Sequence, residues 1–133
     1  MKQFASLYLI ATGIFVVIDA IWLTLIANKF YKDKLGHLLA DKASLAPAVL
    51  FYALFIIGLV VFVIKPGIDA GLAATAWRAA LFGLVTYATY DLTNQATIKD
   101  WPVSITVVDL IWGTVLSTVV CVGTVFLYTR FIA

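Results

Sequence analysis

The sequence contains no glutamate, and charge of either sign is scarce. Charged residues make up 12% of the chain, about half of the roughly 25% found in soluble domains. Nine Lys and Arg residues stand against seven acidic residues, all of them Asp, so the formal net charge is only +2. No basic stripe can be built from so few cations, and this excludes nucleic acid as a partner.

Cysteine and histidine each occur once, as Cys121 and His37. A lone cysteine cannot form a disulfide within the chain, and in its apolar run it is interpreted as a small packing residue. A lone histidine without a second His or Cys gives no zinc site. An all-oxygen set of Asp, Asn and Gln would suit Mg²⁺ or Ca²⁺, but the sequence assigns no metal site and identifies no cofactor.

Apolar residues are what the chain has in abundance: 64% of the sequence, with a mean hydropathy of +1.07. A domain of 133 residues has too little interior to bury so many apolar side chains. The side chains left outside must therefore be surrounded by a lipid bilayer. Four segments approach or exceed the roughly 20 residues that a membrane helix needs: residues 4–27, 45–64, 72–94 and 103–128. The prediction is a single all-α domain over residues 1–133, an integral membrane four-helix bundle.

The three connections differ in character. Asn28–Ser44 carries four lysines, and its apolar residues recur at roughly helical spacing, which favours an amphipathic helix in the headgroup layer between helices one and two. A polar loop is the alternative. Lys65-Pro66-Gly67 predicts a turn, whereas Trp101-Pro102 suggests an interfacial aromatic residue followed by a helix start.

The distribution of Lys and Arg predicts the orientation. Five of them (Lys29, Lys32, Lys34, Lys42 and Lys99) fall on the side of the first and third connections, and three (Lys2, Lys65 and Arg130) on the side of the termini. By the positive-inside rule, the long connection lies in the cytoplasm and the termini lie outside.

A short motif occurs twice, as residues 17–24 and 107–114. Each copy places a carboxylate, Asp19 or Asp109, inside an apolar run and a tryptophan, Trp22 or Trp112, three residues later. At 1.5 Å per residue, the two carboxylates lie about 12 and about 9 Å below the same membrane surface. The two antiparallel helices therefore bring both carboxylates to one layer.

The third segment ends on the same side with four polar residues, Tyr87, Asp91, Asn94 and Gln95, on one helix face. Asp19, Asp91 and Asp109 are therefore the candidate catalytic residues. The candidate binding residues are Trp22, Trp112, Tyr87, Asn94 and Gln95.

Carboxylates in a membrane helix are costly, at about 2.5–3.5 kcal/mol each near the centre of a span. Three ionised carboxylates in one layer would also repel each other, so a proton, a cation or hydrogen-bond donors must compensate them. A functional pocket is one interpretation. The structural alternative is that the Asp residues clasp the helices together, for example by accepting a bond from the indole N–H of the other motif, and that Trp22 and Trp112 are interfacial anchors.

Small residues recur at four-residue spacing on two of the helices. Gly113, Ser117 and Cys121 do so on the fourth, and Ala79 and Gly83 on the third. Such spacing allows helix backbones to approach closely, within one chain or in a homo-oligomer.

The motifs at residues 17–22, 90–94 and 108–112, together with Trp101-Pro102, resemble a family of short bacterial four-span membrane proteins, domain of unknown function 2177. The resemblance covers essentially the whole chain. It implies a multi-pass protein of the bacterial inner membrane, but it brings no activity, substrate or catalytic residue. It favours lipid chemistry, since such proteins are often encoded near lipid-modifying enzymes.

Three functions remain open at this point. The first is a lipid-modifying enzyme or its subunit, with membrane lipids as partners and the Trp residues walling a pocket. The second is a proton- or cation-coupled transporter in which the carboxylates load and release the ion. The third is a structural or accessory membrane protein. Whether the chain is an enzyme is not decided by its sequence.

Overall fold

The polypeptide forms four helices joined by three short connections, without any β-strand, in a computed structural model that covers residues 1–133. The helices are α1 (Lys2–Leu35), α2 (Leu45–Ala70), α3 (Leu72–Thr97) and α4 (Val103–Phe131). This confirms the all-α four-helix prediction. Three of the helices, α1, α2 and α4, are long and apolar enough to cross a membrane; α3 has similar length, but Arg78 and Asp91 lower its hydropathy.

The first helix does not end where its apolar run ends. It continues through a π-helical turn at Leu23–Ala27 into the lysine-rich segment Asn28–Leu35, and only residues 36–44 form a non-helical connection. The expected separate amphipathic helix is therefore an extension of α1. The backbone hydrogen bonds simply carry on into polar sequence, because Lys and Asp are acceptable helix residues once the chain has left the hydrocarbon core.

The turn expected at Lys65-Pro66-Gly67 lies further along the chain, at Gly71. The α2 helix runs through the proline and ends at Ala70, and Gly71 reverses the chain with a φ of 88°. Pro66 is tolerated because it follows a π-helical turn at Val60–Ile64, where the wider backbone leaves room for a ring and a missing N–H. Positive φ is readily adopted only by glycine, which explains the residue at the reversal.

The closest helix pair is the antiparallel pair α3 and α4. A side chain on Gly83 would collide with the Gly113 carbonyl and with Ser117, and a side chain on Gly113 would collide with the Tyr87 ring. The small residues predicted to allow close approach therefore serve contacts within the chain.

The main apolar core fills the half of the bundle that holds the termini. It is built from α1, α2 and α4 with a small contribution from α3, through residues such as Leu7, Phe15, Leu59, Leu116 and Val120. Its size follows from the long apolar runs of these helices, which bury one face in the bundle and leave the other to lipid.

A second, small cluster closes the opposite end of the bundle, where Leu35 packs against Trp101 and Ile105. Trp101 is only 9% exposed, and its indole N–H donates a 3.1 Å hydrogen bond to the Thr106 hydroxyl. The expectation of an interfacial anchor is therefore corrected for Trp101, because the chain reversal before α4 folds the indole under the end of α1. Trp77, at 59% exposed, does face outward.

Candidate functional site

A cavity of about 450 Å³ lies between the two apolar clusters. All four helices contribute to its wall. The lining residues are Asp19, Trp22, Leu23 and Tyr31 from α1, Phe51 and Tyr52 from α2, Thr86, Tyr87, Tyr90 and Asp91 from α3, and Asp109 and Trp112 from α4. A volume of this size is in the usual range for small-molecule sites.

The three candidate carboxylates all line this cavity. Asp19 and Asp109 are each 7% exposed, and Asp91 is fully buried. The two copies of the motif meet in the structure, because Trp22 stacks on Trp112 and Asp19 lies beside the Trp112 indole. The same face of α3 that carries Tyr87 carries Asp91 one turn later.

A tyrosine accompanies two of the carboxylates. The Tyr31 hydroxyl donates a hydrogen bond to Oδ1 of Asp109. The Tyr52 hydroxyl faces Asp19, which also lies beside the indole of Trp112. Each tyrosine comes from a helix other than the one that carries its carboxylate, so these contacts hold α1 to α4 and α2 to α1.

Asp91 differs from the other two carboxylates because its only hydrogen-bond partner is another carboxyl group, that of Asp109. This bond forms only when one of the two groups is protonated, and when both are ionised neither oxygen of Asp91 has a donor. A buried polar group without a partner destabilises the fold by about 1–3 kcal/mol, and by more when it is charged. Such a group is uncommon in native proteins and points to a ligand, a proton or a function at that place.

The two motif tryptophans meet face to face. The rings of Trp22 and Trp112 stack with centroids 4.2 Å apart and planes 8° from parallel. The indole N–H of Trp112 is buried without a hydrogen-bond partner, although it lies near Asp19. Asp19 thus lies beside the indole of the other motif, as the predicted clasp requires, and the stacked indoles add a second contact between α1 and α4.

Asn94 and Gln95 do not line the cavity. Asn94 is half-buried beside Tyr90, and Gln95 is exposed. Both lie on the last turn of α3, beyond the level at which the cavity closes. Of the three candidates for binding on α3, only Tyr87 lines the cavity.

Two lining residues that interact with carboxylates were not predicted as site residues. Tyr31 lies in the segment interpreted as an interfacial helix, which continues α1 after the π-helical turn and brings Tyr31 to Asp109. Tyr52 lies in the second apolar run. A hydroxyl in an otherwise apolar run is a usable signal, because a buried phenol seeks a hydrogen-bond partner.

The charges of the cavity all have the same sign. Its twelve lining residues include three carboxylates and no Lys, Arg or His. Asp91 and Asp109 lie together, but no group of three or more His, Cys, Asp or Glu side chains is arranged to hold a metal ion. The site is therefore an aromatic chamber with carboxylates in its wall.

An apolar groove of about 400 Å³ adjoins the cavity and shares Asp19, Leu23 and Tyr52 with it. It runs between α1 and α2 from this level towards Tyr8 and Thr12. From residue 23 back to residue 8, the groove follows α1 for about 22 Å at 1.5 Å per residue. The first half of α2 touches α1 only sparsely, so the groove faces the side of the bundle.

Comparison with known proteins identifies a family but no characterised relative. No curated protein and no solved structure matches the chain. The model of a family described as predicted membrane protein (DUF2177) matches residues 4–126, which include every residue that lines the cavity and the groove. The chain therefore belongs to the DUF2177 family of predicted membrane proteins.

Proposed function

We propose that this protein binds a membrane lipid, with the polar head in the cavity and a hydrocarbon tail in the groove, and acts as a lipid-modifying enzyme or the substrate-binding subunit of one. The observation that carries the proposal is that the two spaces are neighbours. The chamber with carboxylates and the lateral apolar groove share Asp19, Leu23 and Tyr52 in their walls. That combination matches the shape and polarity of an amphiphile.

The facing carboxyl groups of Asp91 and Asp109 supply the chemistry. Two carboxyl groups in apolar surroundings share a proton more readily than they ionise together. One can then accept a proton from the lipid head while the other donates one, which is general acid–base catalysis. Tyr31 orients Asp109 through its hydrogen bond, and the stacked tryptophans form a wall of the chamber.

The other two functions have less support. A carrier needs a polar path through the half of the bundle that holds the termini, and that half is filled by the main apolar core. A purely structural cluster would use its polar groups for contacts between helices, but the only partner of the buried Asp91 is a second carboxyl group, which bonds to it only when one of the two is protonated.

Lipid binding can be tested by filling the groove. Ala20→Phe and Ala53→Phe place a ring in the groove, while Ala5→Phe puts the same ring on the exposed, groove-free part of α1 as a matched control. Native mass spectrometry of protein released from its own membranes should show a retained lipid on the wild type and on Ala5→Phe. Both groove variants should lose it, and equal retention by all four proteins would contradict the proposal.

Chemical activity needs a separate test. Total lipids of cells that produce the wild type should contain a species whose amount changes relative to cells that produce Asp91→Asn or Asp109→Asn at the same level. Lipidomic mass spectrometry measures this directly. Identical lipid profiles in all three strains would remove the enzymatic part of the proposal and leave lipid binding.

We also infer that the protein lies in the bacterial inner membrane with residues 36–44 in the cytoplasm. The support for this is the greater number of lysines near that end of the bundle. The cavity lies in the same half, so the lipid head would be held towards the cytoplasmic leaflet.

A further inference from the structure

The cavity that is proposed to hold a lipid head carries a surplus of hydrogen-bond acceptors. Its wall has three carboxyl groups, and none of its twelve residues carries a positive charge. Tyrosine hydroxyls donate to Asp109 and lie beside Asp19, whereas the only partner of Asp91 is the Asp109 carboxyl group, which is no donor once both groups are ionised. The missing component of the site is therefore a donor, and a positively charged donor would also compensate the carboxylates.

Asp91 differs from the other two carboxylates of the cavity in its burial and in its hydrogen bonding. It is fully buried, it lines the cavity, and no group other than the Asp109 carboxyl bonds to its oxygens. A carboxylate in that position accepts up to four hydrogen bonds, and a primary ammonium group donates three from a compact centre. A quaternary ammonium group has the charge but no N–H, so it would leave Asp91 without a donor.

The rest of the wall also suits a cation. Four tyrosines (Tyr31, Tyr52, Tyr87 and Tyr90), Phe51 and the stacked pair Trp22 and Trp112 surround the carboxylates. Aromatic faces attract a cation through their quadrupoles, most strongly when the cation has lost its water. A phosphate group alone would meet three like charges here and no cation to balance it.

We propose that the cavity selects an amphiphile with a primary ammonium head, which donates hydrogen bonds to Asp91 and Asp109 between aromatic walls while its tail occupies the groove. The inference rests on the proposed lipid site and specifies the class of its ligand. An ammonium group that donates hydrogen bonds to both carboxylates would let both ionise, and it would supply the donor that Asp91 then lacks.

The test compares single-tailed amphiphiles that share a dodecyl chain and differ only in the head. Dodecylammonium, dodecyltrimethylammonium, dodecyl maltoside and dodecyl sulfate are titrated into the protein in nanodiscs of neutral phosphatidylcholine, and bound ligand is counted by native mass spectrometry. Dodecylammonium should bind most tightly. Butylammonium, which has the same head and a short tail, should bind much more weakly if the groove contributes.

The variant that tests the contact is Asp91→Asn, with Asp109→Asn as a second variant in case the first does not fold. Loss of a charge-assisted hydrogen bond should weaken dodecylammonium binding about 10- to 100-fold and leave dodecyl maltoside binding unchanged. Asp100→Asn is the matched control: it removes the same charge from an exposed residue near the same end of the bundle, and Asn tolerates the φ of 59° there.

The outcomes separate the two proposals. Equal binding of dodecyl maltoside and dodecylammonium to the wild type, or an equal loss in Asp100→Asn, overturns the ammonium inference while the lipid site stands. Tighter binding of dodecyltrimethylammonium overturns the role given to the N–H donors. Binding of butylammonium as tight as that of dodecylammonium means that the ligand is a soluble amine, and no binding of any amphiphile removes the lipid site as well.

Discussion

At the scale of single residues, Asp91 is the position where stability and function are expected to conflict. A fully buried carboxyl group whose only hydrogen-bond partner is a second carboxyl group destabilises the fold that contains it when both groups are ionised. Natural proteins keep such residues where a ligand or a reaction needs them. The two better-partnered carboxylates, Asp19 and Asp109, have no comparable deficit.

Asp91→Asn should therefore raise the stability of the ligand-free protein. The amide keeps the shape, removes the repulsion and can donate a hydrogen bond to Asp109, which together favour folding by about 1–2 kcal/mol. Thermal unfolding in detergent should show a higher Tm for this variant than for the wild type, with Asp100→Asn unchanged. A lower Tm would mean that the carboxylate of Asp91 is itself a structural contact.

A second prediction at this scale concerns the contact of α3 with α4. Gly113→Ala places a methyl group against the Tyr87 ring, and overpacking of this kind destabilises a protein by about 1–3 kcal/mol. Gly13→Ala is the control, because nothing lies within 4 Å of the position its methyl group would take. We expect a fall in Tm for the first variant only, and equal Tm values would contradict the close packing of these helices.

At the scale of elements, the last part of α1, Asn28–Leu35, closes one side of the cavity through Tyr31, and we call this segment the cover. The segment Asn28–Leu35 follows a π-helical turn that begins directly after Trp22. Such turns are frequent at functional sites because they redirect a helix without breaking it. Here the turn carries Tyr31 to Asp109 and Leu35 to Trp101, so two contacts hold the cover in place.

Removal of one of these contacts should loosen the cover. Tyr31→Phe deletes the hydroxyl that bonds to Asp109, and the local opening of residues 28–35 should become easier by about 1–2 kcal/mol. Hydrogen exchange measured by mass spectrometry should then be faster in this segment and unchanged in α4 beyond residue 115. Tyr128→Phe, which removes a hydroxyl at the other end of the bundle, is the control. Unaltered exchange in residues 28–35 would show that the hydrogen bond does not hold the segment.

At the scale of the whole molecule, the two ends of the bundle differ in content. The half with the termini contains the main apolar core, and the other half contains the cavity and the greater number of lysines. Three long apolar helices and the family assignment place the protein in a membrane. The orientation in that membrane would decide which leaflet supplies the proposed lipid ligand.

Cysteine labelling tests the orientation. Cys121 is fully buried and should not react, so Ser44→Cys and Ala133→Cys each add one accessible thiol. In intact cells, a membrane-impermeant maleimide should label Ala133→Cys at once and Ser44→Cys only after lysis. The reverse pattern would put the cavity in the outer half of the membrane, and labelling of the wild type would reveal access to Cys121.

The sequence by itself determined the class of the protein, its helices and one layer of polar residues. Hydropathy predicts helices because a bilayer leaves the backbone no other partner than itself. The same reasoning also brought Asp19, Asp91 and Asp109 to one level, because rise per residue and antiparallel order determine depth. Hydropathy predicted helices that are too short, because helical hydrogen bonds continue into polar sequence such as Asn28–Leu35.

The tertiary structure alone decided what each polar residue faces. Depth does not specify rotation, and one π-helical turn after Trp22 is enough to change which side chain reaches Asp109. The stacking of Trp22 on Trp112, the contribution of Tyr52 from α2 and the exposure of Gln95 all depend on helix rotation and packing. These are properties of contacts between distant segments, which a pattern within one segment does not contain.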